Sequence, residues 1–242
     1  MPFALPLAAR VRPREEDHGD IQHGNTKLGK KDILWVWDLP AVTTCPGRSK
    51  LCEELCYANS GFFRMPSVTM GLARNLRYSH GADFEDWLVS VLKKRAVQVL
   101  RVHGSGDFYS QAYAISCWRI FRRLPHTAFY FYTRSWRDRE IMPVLAGMAL
   151  EPNVEAWFST DKETGPPECA LPRVKIAYML TAGETAPAFP VDLVFRDEGH
   201  LPGERVKRAG GALVCPYEQG PGLNVTCAKC KICFREALRG RP

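Results

Sequence analysis

No stretch of this chain reaches the roughly 18 uninterrupted apolar residues of a membrane span, which excludes a helical membrane protein. The early apolar segment, Pro2 to Ala9, is too short for a secretory signal and lacks the basic start of one. Internal repeats and low-complexity tracts are also missing. Histidines number only six, and none stands at metal-ligand spacing. That makes a metal-dependent hydrolase built on His103, Asp107 and Asp161 the weakest of the readings considered. Acidic side chains are in deficit, 26 against 33 basic ones, leaving a net charge of +7. Such a surface attracts anions, nucleic-acid phosphates or a nucleotide among them.

A length of 242 residues suits one large domain with a small appendage. The expected division is a polar lead-in over 1–32, a main domain over 33–210 and a cysteine-rich segment over 211–242. Within the lead-in, Gly24 to Lys31 reads as a basic loop entering the first strand. The expected compartment is the cytoplasm.

What the chain does have is cysteine, nine in all. In a reducing compartment these are not expected to form disulfides, and their clustering points to metal. Cys45, Cys52 and Cys56 follow directly on the apolar run Ile33 to Trp37, closed by Asp38-Leu39-Pro40. Three thiolates on one short loop would leave a bound metal centre one open position, where chemistry can occur. A second group is Cys227-x2-Cys230-x2-Cys233 with Cys215-Pro216 upstream. Zinc sites are usually two separated Cys-x2-Cys pairs, whereas a doubled run with a remote Cys-Pro is the ferredoxin pattern. A second 4Fe-4S cluster is therefore favoured there, with zinc as the alternative. Four cysteines would close that site to substrate, making it an electron relay or a staple. Lys229, Lys231, Arg235 and Arg239 can offset its charge or touch phosphate. Cys117, in an apolar helical pattern, and Cys169, in a Pro-rich loop, read as structural.

The periodicity predicts helix over Ser67 to Arg95, divided near Gly81, and then alternating strands and helices. Strands are expected to begin at Ile33, Val97, Thr127, Val154, Val174 and Val191, with helices over Gln111 to Arg123 and Glu140 to Leu150. Such alternation implies βα units around a mostly parallel sheet, here an open, partial (β/α)6 barrel with a C-terminal cysteine-rich tail. Ligands of such sheets bind at the carboxyl ends of the strands, where the first cysteine loop also lies.

A partial barrel whose first βα loop carries three cysteines ending in Cys56-Tyr57 is similar to radical S-adenosylmethionine enzymes. That resemblance implies a 4Fe-4S cluster on Cys45, Cys52 and Cys56, with S-adenosylmethionine on the fourth iron and Tyr57 as the flanking aromatic. Gly104-Ser105-Gly106-Asp107 stands where that superfamily places a turn that receives the amine of the cofactor. The spacing here, Cys-x6-Cys-x3-Cys, differs from the usual Cys-x3-Cys-x2-Cys and implies another loop path. More narrowly, Asn25 to Gly29, Thr44 to Gly47, Cys56 to Ala58, Gly104 to Phe108 and Tyr132 to Ser135 resemble the phage gene product 88 family. A phage origin would make the compartment the host cytoplasm.

Two functions follow. In the first, the chain is an enzyme acting on a nucleotide or nucleic acid and reduced by a flavodoxin or ferredoxin. Gly104 to Asp107 would then orient the cofactor, and Arg134, Ser159 and Arg196, at strand ends, would contact ribose, carboxylate or substrate. In the second, it is a non-catalytic, metal-stapled nucleic-acid-binding protein using Lys93, Lys94, Arg95 and Arg101, with Tyr109 and Trp136 for stacking.

Overall fold

The computed structural model describes residues 19–29, 32–196, 206–219 and 225–242. The first half of the lead-in, Lys30 and Lys31 of the basic loop, and Asp197 and Glu198 lie outside the described residues.

Nine strands make one sheet: β1 (Gln22–His23), β2 (Leu34–Trp37), β3 (Val99–Val102), β4 (Ala128–Thr133), β5 (Val154–Thr160), β6 (Val174–Leu180), β7 (Leu193–Arg196), β8 (Arg208–Ala209) and β9 (Ala212–Val214). Their order is β1-β2-β3-β4-β5-β6-β7-β9-β8. From β2 to β7 each strand pairs in parallel with the next, as the alternation predicts. The sheet is not closed. At one edge β1 runs antiparallel to β2, and at the other β8 turns back on β9 through Gly210 and Gly211, both at positive φ. Short antiparallel strands of this kind blunt both edges.

The helices are α1 (Lys50–Glu54), α2 (Pro66–Ser79), α3 (Phe84–Lys94), α4 (Gln111–Arg123), α5 (Met142–Ala149), α6 (Cys227–Cys230) and α7 (Arg235–Arg239). The break between α2 and α3 falls at Gly81, and α4 begins after Ser110, whose side chain accepts from the Tyr113 N–H. One expectation of regular alternation fails: β5 to β6 and β6 to β7 are joined without a described helix. Pro166, Pro167 and Pro172 in the first connection and Pro187 and Pro190 in the second remove helix donors and obstruct the preceding turn.

Side chains alternate across the strands, so the sheet has two different faces. On one, Leu100, Val102, Phe129, Phe131, Ala156 and Phe158 pack under α3, α4 and α5. On the other, Val36, Val99, Ala128 and Tyr130 are covered by the C-terminal segment through Ala228, Phe234 and Ala237. Glu155 of β5 fixes that cover. It is paired with Lys175 at 2.5 Å and accepts from the Glu236 N–H at 2.9 Å, where α7 begins. The Trp157 indole donates to the Cys233 carbonyl at 3.0 Å, and the Cys227 N–H donates to the Lys27 carbonyl at 2.9 Å.

Candidate metal centre

The first cysteine loop is strapped to three strand ends. Thr44 donates to the Pro40 carbonyl at 2.6 Å and accepts from the Asp107 N–H at 3.3 Å. Gly47 lies so close to the Arg134 carbonyl that a Cβ there would overlap it, and Arg137 donates to the Gly47 carbonyl at 2.9 Å. Ser49 caps α1 by accepting from the Cys52 N–H at 2.9 Å, and its hydroxyl donates to Asp161 at 2.6 Å. The Leu51 N–H donates to Glu163 at 2.9 Å. These contacts hold Cys45, Cys52 and Cys56 at the carboxyl ends of β3, β4 and β5.

The three cysteines lie within electrostatic reach of one another, and Cys45 and Cys52 within that of Asp107. Burial, then the Asp107 carboxylate, pushes the Cys45 thiol up to about 12. Burial also raises Cys52, against the opposing pull of the Arg134 guanidinium. Thiols in such a place give up their protons only to a positive centre, which is how a metal binds them.

The Gly104 to Asp107 turn is bonded into the fold. Asp107 is 4% exposed, and its two oxygens accept from Thr133 Oγ1 at 2.6 Å, Phe108 N at 2.8 Å, Arg134 N at 2.8 Å and Ser135 N at 3.2 Å. Four donors fill the acceptor capacity of a carboxylate, so Asp107 ties β3 to β4 rather than facing a ligand. Ser105 is likewise engaged, its N–H donating to Asp38 at 2.8 Å and its hydroxyl to the Leu39 carbonyl at 2.8 Å. Gly106 has φ +77°, and a Cβ there would stand 2.6 Å from both Leu39 and Thr44. These glycines admit a neighbouring loop rather than a ligand.

Arg134 is buried and paired with Asp161 at 2.6 Å. Burial pushes the Asp161 carboxyl up, but the Arg134 charge and hydrogen bonds from Ser49, Thr164 and Glu163 outweigh it and hold it below the ordinary carboxylate range. Ser159 shares the alternating face of Trp157, and its carbonyl accepts from the Trp136 indole at 3.0 Å. Arg196 bonds the Glu218 carbonyl, its Nε enclosed without a partner. Tyr57 is 54% exposed, and its hydroxyl donates to the Gly104 carbonyl. Trp136 stacks on Phe158, and Tyr109 on Tyr113; both rings are part of the fold rather than a stacking platform.

Cys215, Cys227, Cys230 and Cys233 line one pocket together with Leu193 and Ile232. Burial, then Glu218, raises Cys215 to about 12, and burial raises Cys233 well above its ordinary value. All nine cysteines are free thiols. Among the described residues no three His, Cys, Asp or Glu side chains are drawn closely enough to hold a metal ion. A bare zinc ion, with Zn–S bonds of about 2.3 Å, needs such close convergence.

Asp38, Ser49, Glu155 and Glu218 were not legible as site residues. Their partners lie far off in sequence, and only the strand-end position of Asp38 was a signal.

Fold and site together define a parallel α/β protein with a thiol-rich loop at its strand ends. The family model described as gene product 88 matches residues 16–236, and the chain belongs to that family. It is similar to the Gene 88 protein of Mycobacterium phage L5, 28% identical over 131 residues, and to that of Mycobacterium phage D29, 27% identical over 131 residues. Each match takes in 50% of this chain and 53% of the relative, so the chain spans about half the length of the curated relatives it matches. No solved structure matches. Among the described residues no helix is long and apolar enough to cross a membrane.

Proposed function

We propose that this chain is an iron–sulfur protein of the radical S-adenosylmethionine type. Cys45, Cys52 and Cys56 would hold a 4Fe-4S cluster with one open iron, and Cys215, Cys227, Cys230 and Cys233 a second, closed one. The observation that carries the reading is the placement of three half-buried cysteines on one short loop at the carboxyl edge of a parallel sheet, tied down by five side chains. Soft thiolates suit iron–sulfur centres and zinc alike. For the second group the doubled Cys-x2-Cys run with a remote Cys-Pro favours a 4Fe-4S cluster over zinc.

Cys45, Cys52 and Cys56 would hold a cluster whose open position would supply one-electron chemistry to a sulfonium ligand, with a flavodoxin or ferredoxin as the reductant. The residues of this chain bind and orient. Arg134 moderates the charge beside Cys52, Tyr57 walls the outer side, Ser159 lies at the end of β5 and Arg196 at the end of β7. With Asp107 consumed by the fold, an ammonium group at this turn would meet backbone carbonyls and Asp38. The net charge of +7 supports a nucleotide or nucleic acid as substrate.

The test is anaerobic purification followed by iron and sulfide assay and EPR of the reduced protein, with and without S-adenosylmethionine. Two clusters, one with a spectrum shifted by S-adenosylmethionine, are expected. Alanine at Cys45, Cys52 or Cys56 should remove that responsive signal and leave the other. Unchanged iron content in all three variants would overturn the assignment.

A further inference from the structure

On the face of the sheet covered by the C-terminal segment, one arginine has no ion-pair partner among the described residues. Arg101 projects from β3 between the two cysteine groups, within electrostatic reach of Tyr57 on one side and Cys227 on the other. It forms no ion pair among the described residues, and its Nε is closed off from solvent without a partner. Its contacts are weak: the Tyr57 hydroxyl at 3.5 Å and the Tyr132 ring at 5.8 Å. Asp38, a half-buried carboxylate within its electrostatic reach, forms no ion pair with it and accepts from the Ser105 N–H at 2.8 Å.

The surroundings form a continuous wall. Tyr132 meets Phe195 edge-on with centroids 5.2 Å apart, and Lys27 lies over Phe195 at 5.8 Å and over Tyr217 at 4.9 Å. Lys27 is held at 2.7 Å by Glu218, so it brings little uncompensated charge of its own. Tyr57 is the exposed outer member, on the side of the first cysteine loop. Enclosing a guanidinium without an anion is costly, and its planar fork matches phosphate and carboxylate oxygens.

We propose that Arg101 anchors an anion subsite on this face, taking the phosphate or carboxylate group of a small ligand between Tyr57 and Tyr132. The subsite goes beyond the iron–sulfur reading and does not depend on it, since its residues belong to the chain whether or not metal is bound.

The experiment is calorimetric titration of the full chain, both as purified anaerobically and after removal of metal, with inorganic phosphate and separately with acetate. Saturable binding of one or both is expected, and the responding anion tells a phosphate site from a carboxylate site. Arg101→Met should weaken that binding at least tenfold while iron per chain stays constant. Should Arg101→Met fail to fold, Arg101→Lys keeps the charge and loses the fork, and a fall of about tenfold is expected. No saturable binding of either anion, equal affinity in the variant that folds, or loss of iron from that variant would each overturn the proposal. The last result would make Arg101 a counter-charge to the metal centre.

Discussion

Asp161 is the residue on which the geometry of the first cysteine loop turns. Its carboxylate pairs with Arg134 at 2.6 Å, with side chains 0% and 8% exposed, and accepts from the Ser49 hydroxyl at 2.6 Å. Asp161→Asn preserves the shape, removes the charge and leaves Arg134 buried without an anion. Breaking a buried pair in this way costs about 3–5 kcal/mol. For a chain of this size each kcal/mol moves the melting temperature by roughly 2–4 °C, so a fall of about 6–20 °C is expected.

The pH dependence has a definite sign. Because the folded Asp161 carboxyl lies below its unfolded value, its contribution is complete above the ordinary carboxylate range near pH ~4. It is lost as pH falls through the folded value. Urea unfolding of both proteins at pH 7, 5 and 3 measures this directly. The gap should be constant between pH 7 and 5 and narrow at pH 3. A gap under about 1 kcal/mol at pH 7, the level of an exposed pair, would refute the argument. So would a gap that persists undiminished at pH 3.

Asp107→Asn turns an amide donor toward the Arg134 and Ser135 N–H groups, or toward the Phe108 N–H and the Thr133 hydroxyl. An unsatisfied buried donor costs about 1–3 kcal/mol, so melting should fall by roughly 2–12 °C in calorimetry, with S-adenosylmethionine affinity unchanged in any sample that binds it. Gly47→Ala places a methyl group against the Arg134 carbonyl and should cost about 1–3 kcal/mol as overpacking, with iron lost from the first cysteine group only. His103 is held neutral, pushed down to about 3 by burial and then by the Arg101 charge. Its contribution is present above the unfolded value near pH ~6.5 and declines as pH falls, by about 2 kcal/mol between pH 7 and 5. His103→Asn, which tolerates the left-handed backbone at φ 68°, should flatten that slope in denaturant titrations.

The sheet was legible because its strands carry their signal locally. Apolar runs broken at Asp38, His103 and Thr133 mark strand ends, while Ser110 and Pro125 bracket α4 with a cap and a stop. The two cysteine groups were legible for the same reason, as dense clusters on short loops. The role of Asp107 was not, because its donors Thr133, Arg134 and Ser135 come from the next strand end, and a turn rich in glycine reads alike whether it admits a ligand or a neighbouring loop. Nor was the cover of the second face. It depends on Glu155 and Trp157, which in sequence look like one charged and one apolar member of an ordinary strand.

That cover bears on how the cysteine groups relate. Had the C-terminal segment been an independent appendage, the second group would stand apart from the first. Instead the Cys227 N–H bonds the Lys27 carbonyl, Glu155 holds the start of α7, and Trp157 bonds the Cys233 carbonyl. The second group is thereby pressed against the strands whose ends carry the first, with Arg101 and Tyr57 between them. Metal-coupled folding of the tail would then stabilise the sheet face itself, because a ligand that binds only the folded form adds its binding free energy to stability. Loss of the second group should therefore loosen the C-terminal cover of that face. Loss of the first, which is strapped by Asp161, Glu163 and Arg137 from outside that face, should leave the tail in place.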